Sequence, residues 1–228
     1  MVNIRAVTID SINTGKLRRI GVLGDIHCED GRLETALRFF KDQQLDLICS
    51  VGDIVDGPGD PNRTVELLIE NDVVCVRGNH ERWLAKSEMR GLPDANTFFD
   101  FKLSAWEFVT KLPTQRRFET VAGTMLLCHG LGEYDMGGVW PFDNALTLHT
   151  NHALWSLVNL REYDFVINGH THRRLVQSFD DLTIINAGTL FREHAPCCLI
   201  VDFEGGEARY FNLPGEGRIE EAERIQFR

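Results

Sequence analysis

The sequence predicts an α/β fold, a four-layer α-β-β-α sandwich of two mixed sheets. In the first third of the chain, apolar runs alternate with amphipathic segments, which is typical of parallel strands joined by right-handed helical crossovers. The last third is instead rich in short strands separated by turns, which is typical of hairpins. A parallel half joined to a hairpin half indicates two sheets packed face to face, with helices outside.

Three short apolar runs in the first third predict buried strands at Arg19–Leu23, 45–51 and 73–76. Between the first two, residues 31–41 have apolar side chains at i, i+3, i+4 and i+7, which predicts an amphipathic helix with Asp30 as its N-cap. A second helix should begin at Asp60-Pro61, with the aspartate as N-cap and proline at the first helical position. Its buried face should carry Val65, Leu68 and Ile69.

The rest of the chain is less regular at first. Residues 80–112 should be helical and irregular, with an aromatic cluster that packs as a core or a lid. Strands are expected at 124–128 and Phe165–Asn168, with a helix over 143–160 between them. Later strands are expected at 175–179, 182–185, 198–203 and 208–211, with hairpin turns at Asp180-Asp181 and Gly205-Gly206.

Length and composition indicate an ordinary soluble globular protein. The 228 residues fit a single domain over residues 1–228, with 43% hydrophobic and 25% charged residues. The net charge of −10, from 24 Lys+Arg against 34 Asp+Glu, argues against a polymeric nucleic acid as ligand. Six cysteines without a CxxC pair are typical of reduced intracellular thiols. Because the sequence has no signal pattern and no run of 18 apolar residues, we expect a cytoplasmic protein without a membrane partner.

Five short segments carry the chemistry, and each follows or ends an apolar run. They are Asp25-Ile26-His27, Gly52-Asp53, Gly78-Asn79-His80-Glu81, His129-Gly130 and Gly169-His170-Thr171-His172. Since the carboxyl ends of parallel strands converge on one crevice, these side chains should meet there. The two aspartates, one carboxamide and five imidazoles among them suit two divalent cations that share a bridging carboxylate, a device that binds and attacks phosphate esters.

The spacing suggests how the ions are held. Asp25 and His27 lie two apart and can chelate one ion, and Asp53 is the natural bridge because a carboxylate has two oxygens. Asn79 offers a carbonyl oxygen that suits a hard divalent metal, and His129, His170 and His172 would complete the shells. Two divalent cations outweigh two carboxylates and a hydroxide by one positive charge, whereas one cation would leave an excess of negative charge that repels phosphate. The mixed oxygen and nitrogen set indicates Mn, Fe, Zn, Mg, Co or Ni, and we expect Mn²⁺ to support activity in vitro.

At these residues the chain resembles the calcineurin-like metallophosphoesterase superfamily, whose pattern is D-x-H, G-D, G-N-H-[DE], H and G-H-x-H. The resemblance implies that Asp25, His27, Asp53 and His172 bind one metal and that Asp53, Asn79, His129 and His170 bind the other. It also implies that His80 contacts the scissile phosphate.

Two branches of that family remain open. Residues 169–172, followed by hairpins and the turn at 186–189, resemble the small bacterial phosphodiesterases. Gly78-Asn79-His80-Glu81 also fits the Ser/Thr protein phosphatases and bacterial diadenosine tetraphosphatases. That second branch usually has glycine after the first histidine and G-D-x-V-D-R-G at the second segment, where this chain has Cys28 and Gly57.

We therefore expect a metal-dependent phosphoesterase that hydrolyses phosphodiesters or phosphomonoesters of small, nucleotide-type substrates. The metal-bridging hydroxide should attack phosphorus in line, and His80 should steady the phosphate or protonate the leaving oxygen. Arg192 could reach a substrate phosphate as a bidentate donor. The alternatives are a diadenosine polyphosphate hydrolase, a phosphoprotein phosphatase and, from a different class, a metal-free interaction scaffold.

Overall fold

Eleven strands form two mixed sheets in the computed structural model, which describes residues 15–215 and 217–227. The strands of the first sheet are β1 Arg19–Leu23, β2 Leu47–Ser50, β3 Val74–Cys75, β9 Cys197–Asp202, β10 Glu207–Asn212 and β11 Glu220–Gln226. Those of the second are β4 Gln115–Thr120, β5 Gly123–Cys128, β6 Phe165–Asn168, β7 Arg174–Phe179 and β8 Leu182–Ala187. The first sheet has the order β11-β10-β9-β1-β2-β3 and the second the order β4-β5-β6-β8-β7.

Each sheet contains three strands that pair in parallel, at one side of the first sheet and in the middle of the second. Strands β1, β2 and β3 pair in parallel, as the sequence predicts, and so do β5, β6 and β8. The helices that accompany them are α1 Asp30–Lys41, α2 Pro61–Glu70, α3 Asn79–Lys86, α4 Leu103–Thr110, α5 Ala145–His149 and α6 His152–Leu160. A 3₁₀ turn at Phe98–Asp100 precedes α4.

Three apolar clusters define the layers. Ile20 and Val22 of β1 pack with Met125 and Phe165 of the second sheet, so the two sheets share one core. A second cluster lies between the first sheet and helices α1, α2 and α4, and a third lies between the second sheet and α6. The predicted four-layer sandwich is therefore confirmed. Among the described residues no helix is long and apolar enough to cross a bilayer.

The two helices predicted in the first third of the chain differ in how they begin. The α2 start is confirmed, since Asp60 Oδ1 accepts a hydrogen bond from the Asn62 N–H at 2.8 Å. In α1, however, Asp30 is the first helical residue and not the N-cap, and the preceding Glu29 makes no capping bond. The predicted burial of Ile69 is wrong, because its side chain is 39% exposed, whereas Leu67 joins Val65 and Leu68 among the buried residues of α2.

Polar and charged side chains explain two further differences between the predicted and the observed elements. The predicted helix over 143–160 breaks into two because Asn151 caps α6 by accepting from the Leu154 N–H at 3.1 Å. Strands β4 and β11 are missing from the prediction because both are edge strands with many charged residues, which hides any apolar alternation. In the aromatic cluster, Phe101 packs on the helix-side core, whereas Phe99 is 92% exposed.

Candidate metal centre

The predicted ligands lie just beyond strand ends, where the parallel strands of the two sheets come together. Asp25 follows β1 by two residues, His129 directly follows β5, and His170 follows β6 by two residues. Asp53 follows β2, and Asn79 is the first residue of α3. The structure thus brings side chains from both sheets into one cluster.

One group of facing donor atoms consists of His27, Asp53 and His172, whose ligand atoms all lie within 4.8 Å of one another. The Nδ1–H of His27 donates to the Asp56 carbonyl at 2.9 Å, so its Nε2 presents a lone pair. That Nε2 lies 3.2 Å from Nε2 of His172. Burial lowers the pKa of both imidazoles, that of His172 to about 4, so both are neutral near pH 7. The two nitrogens are therefore placed to bind one cation together.

Asp25 adds a carboxylate to this side of the centre. It is fully buried, and its Oδ1 accepts from the His170 N–H at 3.0 Å. Its Oδ2 has no hydrogen-bond partner among the described residues and lies 3.9 Å from Nε2 of His172. A buried carboxylate oxygen without a donor is costly, and a bound cation is the partner that this donor set suits.

The second group consists of Asp53, His129 and His170 and is completed by Asn79. His129 Nδ1–H donates to the Val51 carbonyl at 2.9 Å, which points Nε2 at Asn79 Oδ1 (2.9 Å) and Asp53 Oδ2 (3.2 Å). His170 Nδ1 lies 3.0 Å from the same Asn79 oxygen. Burial opposes the charged form of His129, but the Asp53 and Asp25 carboxylates together outweigh it and raise the pKa of His129 to about 10. The oxygens around this nitrogen thus suit a positive charge, which a proton or a metal ion can supply.

Asp53 belongs to both groups. Burial alone would raise its pKa, but the imidazoles of His129 and His80 hold the pKa of this carboxyl well below its usual range. Its Oδ1 also accepts from the His80 N–H at 2.9 Å, which fixes the carboxylate against the start of α3. An ionised carboxylate between two donor groups is what a bridging ligand requires.

The backbone at the centre is unusual. His27, Asp53, His170 and His172 have φ values of 46°, 48°, 65° and 56°, in the left-handed region that side-chain-bearing residues rarely adopt. Such strain persists only where the surrounding structure imposes it, and it concentrates at functional sites. Gly78 permits the close approach of Asp53, because a Cβ at position 78 would lie 2.1 Å from Asp53 Oδ1.

Glu81 has a role that sequence reasoning missed. It is fully buried, and its carboxylate accepts four backbone N–H groups. These are Gly78 (2.7 Å) and Asp53 (3.0 Å) at Oε2, and Ile54 (2.7 Å) and Val55 (3.1 Å) at Oε1. Glu81 therefore ties the Asp53 loop to the start of α3. The final acid of G-N-H-[DE] was the only signal for this role.

His80 is oriented by a second unassigned acid, Asp56. The His80 Nδ1 lies 2.8 Å from Asp56 Oδ2, and its Nε2 lies 3.9 Å from Asp53 Oδ2. Burial would lower the pKa of His80, but the two aspartates outweigh it and raise that pKa. The partly exposed Trp83 packs against the imidazole, with ring centroids 4.8 Å apart.

Arg192 has a different environment from the one expected. Its Nε and Nη2 donate to the two oxygens of buried Glu29, at 2.7 and 3.0 Å. The bidentate face proposed for a substrate phosphate is thus already paired with a carboxylate. His194 places its Nδ1 2.7 Å from Nδ1 of His172.

Comparison with known proteins places this geometry in a family. Residues 19–206 match the model of the calcineurin-like phosphoesterase superfamily domain. Serine/threonine-protein phosphatase 1 of Salmonella typhimurium is 42% identical over 198 residues, which cover 76% of this chain and 88% of the relative. A phosphodiesterase of Methanocaldococcus jannaschii is 24% identical, with 84% of this chain and 96% of the relative covered.

Solved structures show the same fold. A protein of Pyrococcus horikoshii superposes with a TM-score of 0.71 at 15% identity, covering 85% of this chain and 87% of that one. A metallophosphoesterase of Sphaerobacter thermophilus superposes with a TM-score of 0.58 at 21% identity, covering 92% and 89%. Together with the family match over most of its length, these findings show that the chain belongs to the calcineurin-like phosphoesterase superfamily and is a metal-dependent phosphoesterase.

Proposed function

We propose that this protein hydrolyses phosphodiesters or phosphomonoesters of small, nucleotide-type substrates at a centre of two divalent metal ions. The proposal depends above all on Asp53, whose buried carboxylate lies in both groups of facing donor atoms. One ion would be held by Asp25, His27, Asp53 and His172, and the other by Asp53, Asn79, His129 and His170. When bound, the ions would supply a hydroxide for in-line attack on phosphorus and neutralise charge on the phosphate oxygens.

The chain's own residues supply the proton and the orientation. His80 has its Nδ1 bonded to Asp56, so Nε2 is directed toward the Asp53 side of the centre. The raised pKa of His80 favours the imidazolium form, which can contact a phosphate oxygen and donate a proton to the leaving oxygen. Trp83, next to His80, offers a partly exposed ring on which a nucleobase can stack.

A phosphoprotein phosphatase is the second candidate, because the 42% identical relative is named a serine/threonine-protein phosphatase. Position 57 weighs against that candidate. A Cβ on Gly57 would lie 1.8 Å from the His27 carbonyl oxygen. The arginine that the phosphoprotein phosphatase branch carries at this position therefore does not fit this backbone. We therefore favour the small esters.

The test is a panel of cyclic nucleotides, dinucleoside polyphosphates and phosphopeptides, compared by kcat/KM with Mn²⁺ and after chelation. Asp53→Asn should abolish turnover, whereas the matched control Asp181→Asn, in an exposed turn, should leave it unchanged. Full activity in chelated protein or in Asp53→Asn would overturn the proposed centre. A higher kcat/KM on phosphopeptides than on every nucleotide would mean that phosphoproteins, and not small esters, are the preferred substrates.

A further inference from the structure

Asp56, which orients His80, is itself held by a dense set of donors. Its side chain is 1% exposed. Besides His80 at Oδ2, it accepts from Nη1 of Arg90 at Oδ1 (2.8 Å) and from Nη2 of Arg90 at Oδ2 (2.9 Å). The Asn96 N–H donates to Oδ1 at 2.8 Å. A paired fork of this kind fixes the plane of a carboxylate as well as its position.

Arg90 is in turn fixed by the loop that follows α3. Its Nε donates to the Glu88 carbonyl and its Nη1 to the Asn96 carbonyl, both at 2.7 Å, and its side chain is 17% exposed. The Asn96 side chain closes the same loop onto the centre by accepting from the Asp56 N–H at 2.8 Å. Since most of its N–H groups are used in these contacts, Arg90 is built to hold Asp56 and not to move onto a substrate.

The backbone explains why this arginine comes from a distant segment. Gly57 lies directly against the His27 carbonyl, so the residue after Asp56 has no room for a side chain. The cation beside Asp56 is instead supplied 34 positions along the chain, by a loop that the sequence pattern does not connect with the centre.

We infer that Arg90 is a positioning residue of the phosphoesterase centre: its fork locks the Asp56 carboxylate so that Oδ2 stays in line with Nδ1 of His80. This inference rests on the proposed function for its kinetic consequence. With Asp56 locked, His80 Nε2 keeps facing the place where the phosphate and leaving oxygen would lie. Lysine could supply the charge but not two parallel bonds, so it should be a poor substitute.

The kinetic test compares Arg90→Ala, Arg90→Lys, His80→Ala and the double variant Arg90→Ala/His80→Ala. Arg90→Ala should lower kcat on a nucleotide ester by about 10–100-fold, the scale seen when a partner that orients a functional group is removed. KM should change little, and kcat on a nitrophenyl ester should fall less than kcat on the nucleotide ester. Arg90→Lys should restore little of the lost kcat. In the His80→Ala background, Arg90→Ala should lower kcat by less than about twofold, because the effects of residues that act as one unit are not additive.

The matched control is Arg63→Ala, which removes an arginine with several ion pairs on α2, away from the centre. It should leave kcat unchanged. If Arg90→Ala lowers kcat by the same factor with and without His80, or if Arg90→Lys restores full activity, the orienting role inferred for Arg90 is wrong.

A spectroscopic test does not need turnover. In ¹⁵N NMR spectra of the imidazoles, His80 should show a hydrogen-bonded Nδ1–H, assigned by its absence in His80→Ala. Arg90→Ala and Arg90→Lys should weaken that signal, and Arg63→Ala should not. If the protein hydrolyses no ester, the proposed function fails while this spectrum still decides about Arg90. An unchanged His80 signal in both folded Arg90 variants would overturn the inference.

Discussion

Replacing Glu81 by glutamine should loosen the centre by breaking the support of the Asp53 loop. The carboxylate accepts backbone N–H groups at both of its oxygens, two at each. An amide has one acceptor oxygen, so two of those N–H groups would face an NH₂ group instead.

The size of the effect follows from the bonds lost. A buried N–H without a partner costs about 1–3 kcal/mol, so two of them cost about 2–6 kcal/mol. Burial and the Asp53 carboxylate raise the pKa of Glu81 to about 7, and a neutral amide escapes that unfavourable environment. Removal of the buried charge partly offsets the two lost hydrogen bonds. We therefore expect a net destabilisation of about 2–3 kcal/mol, near the lower end of that range. For a chain of this length it should lower Tm by about 4–12 °C.

The assay is thermal unfolding followed by circular dichroism in the presence of a chelator. Glu66→Gln is the matched control, because Glu66 forms exposed ion pairs with Lys102 and Arg63 that contribute little to stability. Glu81→Gln should also bind Mn²⁺ more weakly, since Asp53 is then less well placed. A fall in Tm no larger than that of Glu66→Gln would refute the supporting role of Glu81.

Three further predictions concern the metals and His80. Asp53→Asn should lose more bound metal than Asn79→Ala, since Asp53 lies in both donor groups, and elemental analysis that finds wild-type stoichiometry in Asp53→Asn would contradict the bridge. Chelated protein should keep its far-ultraviolet circular dichroism spectrum and regain turnover with Mn²⁺, because the apolar clusters do not include the ligands; global unfolding would make the metals structural. His80→Ala should slow a nucleotide ester by about 10²–10⁴-fold and a nitrophenyl ester distinctly less, because nitrophenolate leaves without a proton. Equal losses of kcat would remove the general-acid role.

The sequence by itself determined the layers and the place of the centre. Strand and helix periods record which side chains are buried, so β1, β6, α2 and the parallel order could be predicted from apolar spacing alone. Polar residues just after parallel strands lie at one edge of their own sheet, Asp25 and Asp53 in the first sheet and His129 and His170 in the second, because parallel strands share a direction. Where charged residues interrupt the spacing, as in β4 and β11, the same reasoning failed.

Only the tertiary structure decided which side chains support that centre. Asp56 and Arg90 are 34 positions apart, and Glu29 and Arg192 are 163 apart, so no local pattern records either contact. The sequence predicts that Arg192 can reach a substrate phosphate, but in the structure its guanidinium is paired with Glu29. No sequence pattern predicts a role for Arg90, which the loop after α3 places against Asp56. Burial periodicity is a property of neighbouring residues, whereas the path of a loop, and hence the partner of a long polar side chain, depends on the packing of the whole fold.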